Sequence, residues 1–167
     1  MDGQPAKTAF DFERYGRRVR LGPCFVCAFV RGDPDYRHHV VYGDDDDTIA
    51  FLARNPTLLG YCLVAPKQHV ECWVLEMRQD EFQRFQGVVH AVATALAATL
   101  PTERMYSMSL GSRQGNAHLH WHLAPLPPGV PYHQQQFHAL MAENGVLAVD
   151  DGTQSALARK IRAHLQV

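Results

Sequence analysis

The sequence predicts an α+β fold, antiparallel strands covered by one long amphipathic helix, and three observations predict it. Leu119, Trp121 and Leu123 alternate with His118, His120 and His122, the two-residue period of a strand with one apolar face. Two apolar runs, 48–52 and 58–65, flank Asn55-Pro56, as in an antiparallel pair joined through a turn. Phe82, Phe85, Val89, Val92 and Leu96 recur at three and four residues, the stripe of a helix packed on one side.

Taken in order, the chain opens with a charged lead-in segment, residues 1–20, that carries Arg14, Arg17, Arg18 and Arg20 and reads as exposed and partly helical. Cys24-Phe25-Val26-Cys27 follows, then a loop-like stretch ending in Asp44-Asp45-Asp46-Asp47. Like charges in a run stay solvated, so a hydrated turn is favoured there over a cation site. The strand pair 48–52 and 58–65 leads directly into Pro66-Lys67-Gln68-His69. The helix covers 79–98 and is closed by Pro101; residues 105–110 form a short strand and 111–115 a turn. The histidine strand, 118–123, stops at Pro125-Leu126-Pro127-Pro128-Gly129, because proline cannot extend a ladder. Beyond it come a helix over 134–144, an extended piece over 146–149 and an amphipathic helix over 153–165.

With 167 residues, 46% hydrophobic and 20% charged, the chain is long enough for one domain with its own core. A formal net charge of -1 argues against nucleic-acid binding through bulk charge. The longest apolar stretch, 87–100, is broken by His90 and Thr94 and is shorter than the ~20 residues that cross a bilayer, so no membrane helix is expected. Residues 1–7 lack the apolar core of a secretory signal, which sets the expected compartment as the cytoplasm and leaves Cys24, Cys27, Cys62 and Cys72 reduced.

The chemistry concentrates in the histidine row. A histidine-rich exposed strand or a tag remnant is the bland alternative, but a tag lacks alternating Leu and Trp. Cys24-x-x-Cys27 has the spacing of a metal knuckle, with His69 and His118 the best placed further ligands for a closed tetrahedral zinc. A redox dithiol is the competing reading; it would open a helix after a strand. Cys62 reads as a small buried hydrophobe, and Cys72 as packing beside Trp73 or a spare ligand. Same-face residues on a strand are ~6.5 to 7 Å apart, so one ion seldom gathers all three imidazoles. The row therefore divides its labour: His118 faces the metal, His120 keeps one nitrogen free as a nucleophile, and His122 donates to a phosphate oxygen or leaving group.

His118-Leu119-His120-Trp121-His122-Leu123-Ala124 resembles the His-φ-His-φ-His-φ-φ signature, φ being apolar, of the histidine triad (HIT) nucleotide hydrolases and transferases. Residues 51–56 leading into 60–69 resemble the family's first hairpin, and 111–114 the loop before the triad, so residues 24–125 are covered. The resemblance implies a HIT-like fold: about five antiparallel strands, a long helix and, here, additional C-terminal helices. It sets a HIT domain at 21–125 and a packed C-terminal extension at 126–167. It maps a structural zinc, as in bacterial members, onto Cys24, Cys27, His69 and His118. It implies attack by His120 on the α-phosphorus of a nucleoside phosphate derivative, such as a dinucleoside polyphosphate or phosphoramidate, through a covalent nucleotidyl-histidine. A homodimer is implied as well.

Substrate contacts fall to Phe51, Asn55, Gln114, Asn116 and His122. Phe51 could flank a base or belong to the core. Where the family often has a polar or acidic ribose ligand this chain has Ala53, with Asn55 as a substitute; where it has a hydroxyl or amide this chain has Gly115, with Asn116 as a substitute; an amide position further upstream is Ser107. These departures leave two alternatives: a non-catalytic nucleotide-binding module of the same fold, or a hydrolase whose zinc is held by the histidine row and activates water.

Overall fold

A computed structural model describes residues 5–43 and 47–166; Asp44, Asp45 and Asp46 of the acidic run lie outside the described residues. Among the described residues the core is a five-stranded antiparallel sheet in the order β2-β3-β4-β6-β5, where β2 is Val40–Tyr42, β3 Thr48–Leu52, β4 Cys62–Pro66, β5 Arg104–Ser109 and β6 Trp121–Leu126. A two-stranded ladder, β1 (Lys7–Thr8) with β7 (Val146–Leu147), ties the N-terminal arm to the C-terminal segment. The helices are α1 (Phe12–Leu21), α2 (Phe25–Val30), α3 (Trp73–Glu76), α4 (Gln79–Thr99), α5 (Phe137–Leu140) and α6 (Asp151–Arg162).

Strand alternation gives the sheet two working faces. Ala50, Leu52, Cys62, Val64 and Leu123 point to the side covered by α4 and α6, where they meet Phe85, Val88, Val89, Val92, Leu96, Leu157 and Ile161. Each such Val or Leu contributes about 1.5–3 kcal/mol by leaving water, so this face holds the fold together. The opposite face presents Ile49, Phe51, Leu63 and Ala65 to Val26, Phe25 and Phe29 of α2. His122 stands directly across from Leu63 on this second face.

The long helix starts where the Glu81 carboxylate accepts from the Arg78 backbone N–H at 2.8 Å, with Asp80 and Glu81 complementing the helix dipole. It ends at Leu100, whose N–H still reaches Leu96 O, because Pro101 can donate no further bond. Gly60 turns the chain into β4 at φ +81°, where a Cβ would collide with Leu100. No helix among the described residues is long and apolar enough to cross a membrane.

Four sequence expectations need correction. The stretch after Cys27 is loop-like only over 31–39, with a 3-10 turn at Pro34–Tyr36; α2 runs to Val30 and β2 takes Val40–Tyr42, and the unbroken apolar run Phe25–Val30 carries no periodicity to reveal a helix buried on one side by Val26 and Ala28. The histidine strand begins at Trp121 rather than residue 118, since His118 and His120 use their surroundings for other bonds. It also runs through Pro125, which pairs with Met105. Leu126 O accepts from Glu103 N on the β5 side, so Pro125 turns its nitrogen toward β4, where pairing has already ended at Cys62–Leu123. Finally, 134–144 is no single helix but α5 between two 3-10 turns, broken by Gln136 at φ 56°.

Candidate functional site

Cys24 caps α2, its Sγ accepting from the Cys27 N–H at 3.5 Å, and this turn aims both sulfurs at the triad segment. Cys24 Sγ lies 3.3 Å from His118 Nδ1; Cys27 Sγ lies 3.3 Å from His69 Nδ1 and 3.5 Å from His118 Nδ1. All four donor atoms fall within 4.8 Å of one another. Two Cys and two His at such separations match the edges of a tetrahedron with bonds of ~2.0–2.3 Å, so the set fits zinc. The outer bonds agree: His118 Nε2–H donates to Pro66 O at 2.8 Å, and His69 Nε2–H to the Glu71 carboxylate at 3.2 Å. Each fixes the tautomer that leaves Nδ1 as the ligand. Burial, with Cys24 beside it, pushes the Cys27 thiol up to about 11, so ion binding must displace a proton. Cys62 is fully buried, and Cys72 stands at the start of α3 outside the cluster.

His120 and His122 lie beyond this cluster. The His120 Nδ1–H donates to the His118 carbonyl at 2.7 Å, which leaves Nε2 with its lone pair. The ring is buried at 4% exposure, with Phe25 edge-on at 5.4 Å. A Cβ on Gly111 would come within 3.6 Å of its Cε1, so the loop before the triad passes directly over this ring. Burial holds the His120 pKa below its ordinary value, partly opposed by the bond to His118. His122 sits 4.7 Å from it, centroid to centroid, and burial followed by the nearby His120 lowers its pKa to about 3. Both rings are neutral at pH 7.

Tyr61 was not singled out from the sequence, yet its hydroxyl lies 3.0 Å from His122 Nδ1. Burial pushes this phenol up to about 12, so it keeps its proton. Donation from Tyr61 to Nδ1 satisfies the phenol and puts the imidazole proton on Nε2, which is buried without a partner among the described residues. A buried donor with no acceptor is costly, and its ring lies 4.7 Å from that of His120. The signal was available in the register, because Tyr61 precedes β4 on the face of Leu63 and His122.

The expected substrate contacts are less uniform. Phe51 is fully buried among Phe25, Phe29 and His38, so it supports the pocket wall and presents no surface to a base. That corrects its reading as a base contact. Asn55 is exposed at the turn after β3. Gln114 is exposed in the loop tip, its N–H bonded to Ser112 Oγ at 3.2 Å. Asn116 adopts φ 53° and donates to the Tyr15 hydroxyl of α1 at 2.7 Å. Ser107 accepts from Trp121 Nε1 at 2.9 Å, on the helix side of the sheet. Helix α1, whose role the sequence left open, packs Val19 into the space a side chain on Gly115 would fill.

A histidine trio beside a Cys₂His₂ cluster on a five-stranded antiparallel sheet defines a histidine triad protein. The chain belongs to the HIT domain family, whose pattern matches residues 28–128. It is 32% identical over 108 residues to an uncharacterized HIT-like protein of Borreliella burgdorferi, covering 61% of this chain and 74% of that one. Its fold is similar to that of a hypothetical histidine triad nucleotide-binding protein from Sulfolobus tokodaii, with a TM-score of 0.67 at 23% identity over 84% of this chain and 91% of the other. A Zn-bound histidine triad family protein from Mycobacterium smegmatis superposes with a TM-score of 0.65 at 21% identity, again over 84% and 91%. Cys24 and Cys27 lie ahead of the matched family segment.

Proposed function

We propose that this protein is a nucleotide hydrolase or nucleotidyl transferase acting at the α-phosphorus of nucleoside phosphate derivatives, dinucleoside polyphosphates or phosphoramidates, through a covalent nucleotidyl-His120. The observation that carries this is the bond from His120 Nδ1–H to the His118 carbonyl. It commits the proton to one nitrogen and leaves the other unprotonated at neutral pH, the state a nucleophile needs.

In the forward step Nε2 of His120 forms a bond to phosphorus while the bond from phosphorus to the leaving group breaks. A phosphate leaving group departs as its anion with the bonding pair; an amine takes a proton from water. His122, neutral with its proton on Nε2, hydrogen-bonds the phosphoryl oxygen on which negative charge grows. Backbone N–H groups of the loop over His120 add to this stabilisation. Water or a second phosphate then attacks phosphorus and releases His120. Asn116 and Gln114 would contact the substrate from that loop, and Asn55 from the turn after β3.

Cys24, Cys27, His69 and His118 are the residues that would hold a zinc ion, and the ion would supply structure: it joins α2, the β4–α3 connection and the triad segment. Four protein donors leave no open coordination position, and His120 is not among them. A second copy of the chain would dock through α4 and the open edge strand β5.

The test is release of nucleoside monophosphate from a panel of such substrates by the wild type and by His120→Ala. Loss of turnover in the variant, with its melting temperature retained, supports the reading; undiminished turnover removes it.

A further inference from the structure

Arg18 of α1 and Arg54 after β3 both donate Nη2–H to one acceptor, the backbone carbonyl of Asp35; Arg54 reaches it at 3.0 Å and also bonds Arg37 O at 3.1 Å. Among the described residues, neither guanidinium lies within 4.0 Å of a carboxylate. Arg18 stacks on the Tyr36 ring at 4.1 Å, which fixes its position without neutralising it. Two like charges held together in this way repel, and an anion between them would relieve the repulsion.

A cavity of about 350 Å³ adjoins Arg54, lined by Arg37, His38, His39 and Arg54 on its basic side. Its acid, Asp151, is engaged by His39 Nε2 at 3.0 Å. Burial, then the charge of Arg18, pushes Arg54 below its ordinary proton affinity, opposed in part by Tyr36 and Asp35. Two sets of contacts connect the cavity wall to the triad. Val19, the residue next to Arg18 on α1, packs on Gly115 in the loop over His120, so two consecutive residues bridge the catalytic loop and the arginine pair. On the other side a chain of ring contacts runs from His120 through Phe25 and Phe51 to His38.

We infer that Arg54 and Arg37, with Arg18 held on the same carbonyl as Arg54, form a second phosphate site, which takes a phosphate of the substrate other than the one attacked by His120. This rests on the nucleotide reading of the triad. Guanidinium is the side chain suited to phosphate, because its planar fork matches two phosphate oxygens. The phosphate has two possible sources: a 2′- or 3′-phosphate on the same ribose, or the distal phosphates of a polyphosphate chain.

The experiment is isothermal titration of the full chain with adenosine and guanosine 5′-monophosphates, their 2′,5′- and 3′,5′-bisphosphates, and a non-hydrolysable dinucleoside tetraphosphate. At least one doubly phosphorylated probe should bind about 10-fold or more tightly than its monophosphate, with an advantage that shrinks as salt rises. The bisphosphate and tetraphosphate arms tell the two sources apart. Arg54→Gln should cut that ratio to about 3-fold or less, while Arg54→Lys should retain more of it. Arg37→Gln, whose side chain anchors no loop, should cut it too and guards against a folding effect of the Arg54 variants. Equal binding of mono- and bisphosphates, or a ratio untouched in Arg54→Gln and Arg37→Gln, overturns the second site alone. Failure of every monophosphate to bind overturns the nucleotide reading and the second site with it.

Discussion

His120 donates its Nδ1 proton to the backbone carbonyl of His118, 2.7 Å away, so a candidate metal ligand sets the tautomer of the candidate nucleophile two residues on. His118 is itself held from both ends, by the two cysteine sulfurs at Nδ1 and by Pro66 O at Nε2. Position is thereby transmitted from the Cys₂His₂ cluster to the candidate nucleophile through one peptide unit.

The cluster should therefore carry both metal and stability. Cys24→Ser keeps a side-chain acceptor at the start of α2 and loses a thiolate. It is expected to purify with little or no zinc by elemental analysis, whereas His120→Asn keeps about one ion per chain. Even a ~3 kcal/mol share of the ~10–16 kcal/mol typical of a structural zinc would lower the melting temperature by about 6–12 °C. Zinc lost from His120→Asn instead would place the ion in the histidine row.

Tyr61 should act on catalysis by holding His122. Tyr61→Phe removes one neutral hydrogen bond of about 1 kcal/mol, so kcat should fall about 3- to 10-fold with KM nearly unchanged. A change confined to KM would assign Tyr61 to substrate binding.

The acid limb of stability has a defined origin. Burial, then the charge of Arg54, lowers the His38 pKa to about 4, and burial lowers His122 to about 3, from an ordinary 6.5. Below pH 6.5 the unfolded chain takes up protons that the folded chain refuses, so stability is fully present above 6.5 and is lost as pH falls toward 4. The melting temperature should fall through that window. His38→Phe, which keeps a ring against Phe29 and Phe51, should make the fall shallower; an unchanged profile would remove His38 from the account.

The seat of α1 on the loop before the triad can be tested by a cycle. A side chain at Gly115 would collide with Val19, so Gly115→Ser should cost about 1–3 kcal/mol. Adding Val19→Ala should recover most of it, a coupling that thermal melts of both single variants and the double would show. Strict additivity would mean that the helix does not rest there.

What could be read from residues alone depended on periodicity. The alternation of Leu119, Trp121 and Leu123 with histidine identified the two faces of the sheet, and the spacing of Phe85, Val89, Val92 and Leu96 placed α4. Where side chains rather than periodicity decide the backbone, the reading failed: His118 and His120 bind carbonyls ahead of the strand, and α2 is an apolar run without a polar stripe. Cys24, Cys27, His69 and His118 were grouped by spacing and ligand chemistry. Tyr61, Val19 and Arg54 were not, because their roles arise from contacts between segments far apart in the chain. Phe51 shows the converse limit, since an aromatic residue near a site reads alike whether it lines the pocket or supports its wall.

His120 is expected to become covalently linked to the nucleotide during turnover. Acid-labile, base-stable label from a nucleotide substrate labelled at its α-phosphate, trapped by rapid denaturation at alkaline pH and mapped by mass spectrometry, tests it most directly. A nucleotidyl adduct on the peptide containing His120, absent in His120→Ala, is the predicted result. Steady turnover of the wild type with no adduct at any time, or an adduct on another residue, would contradict it.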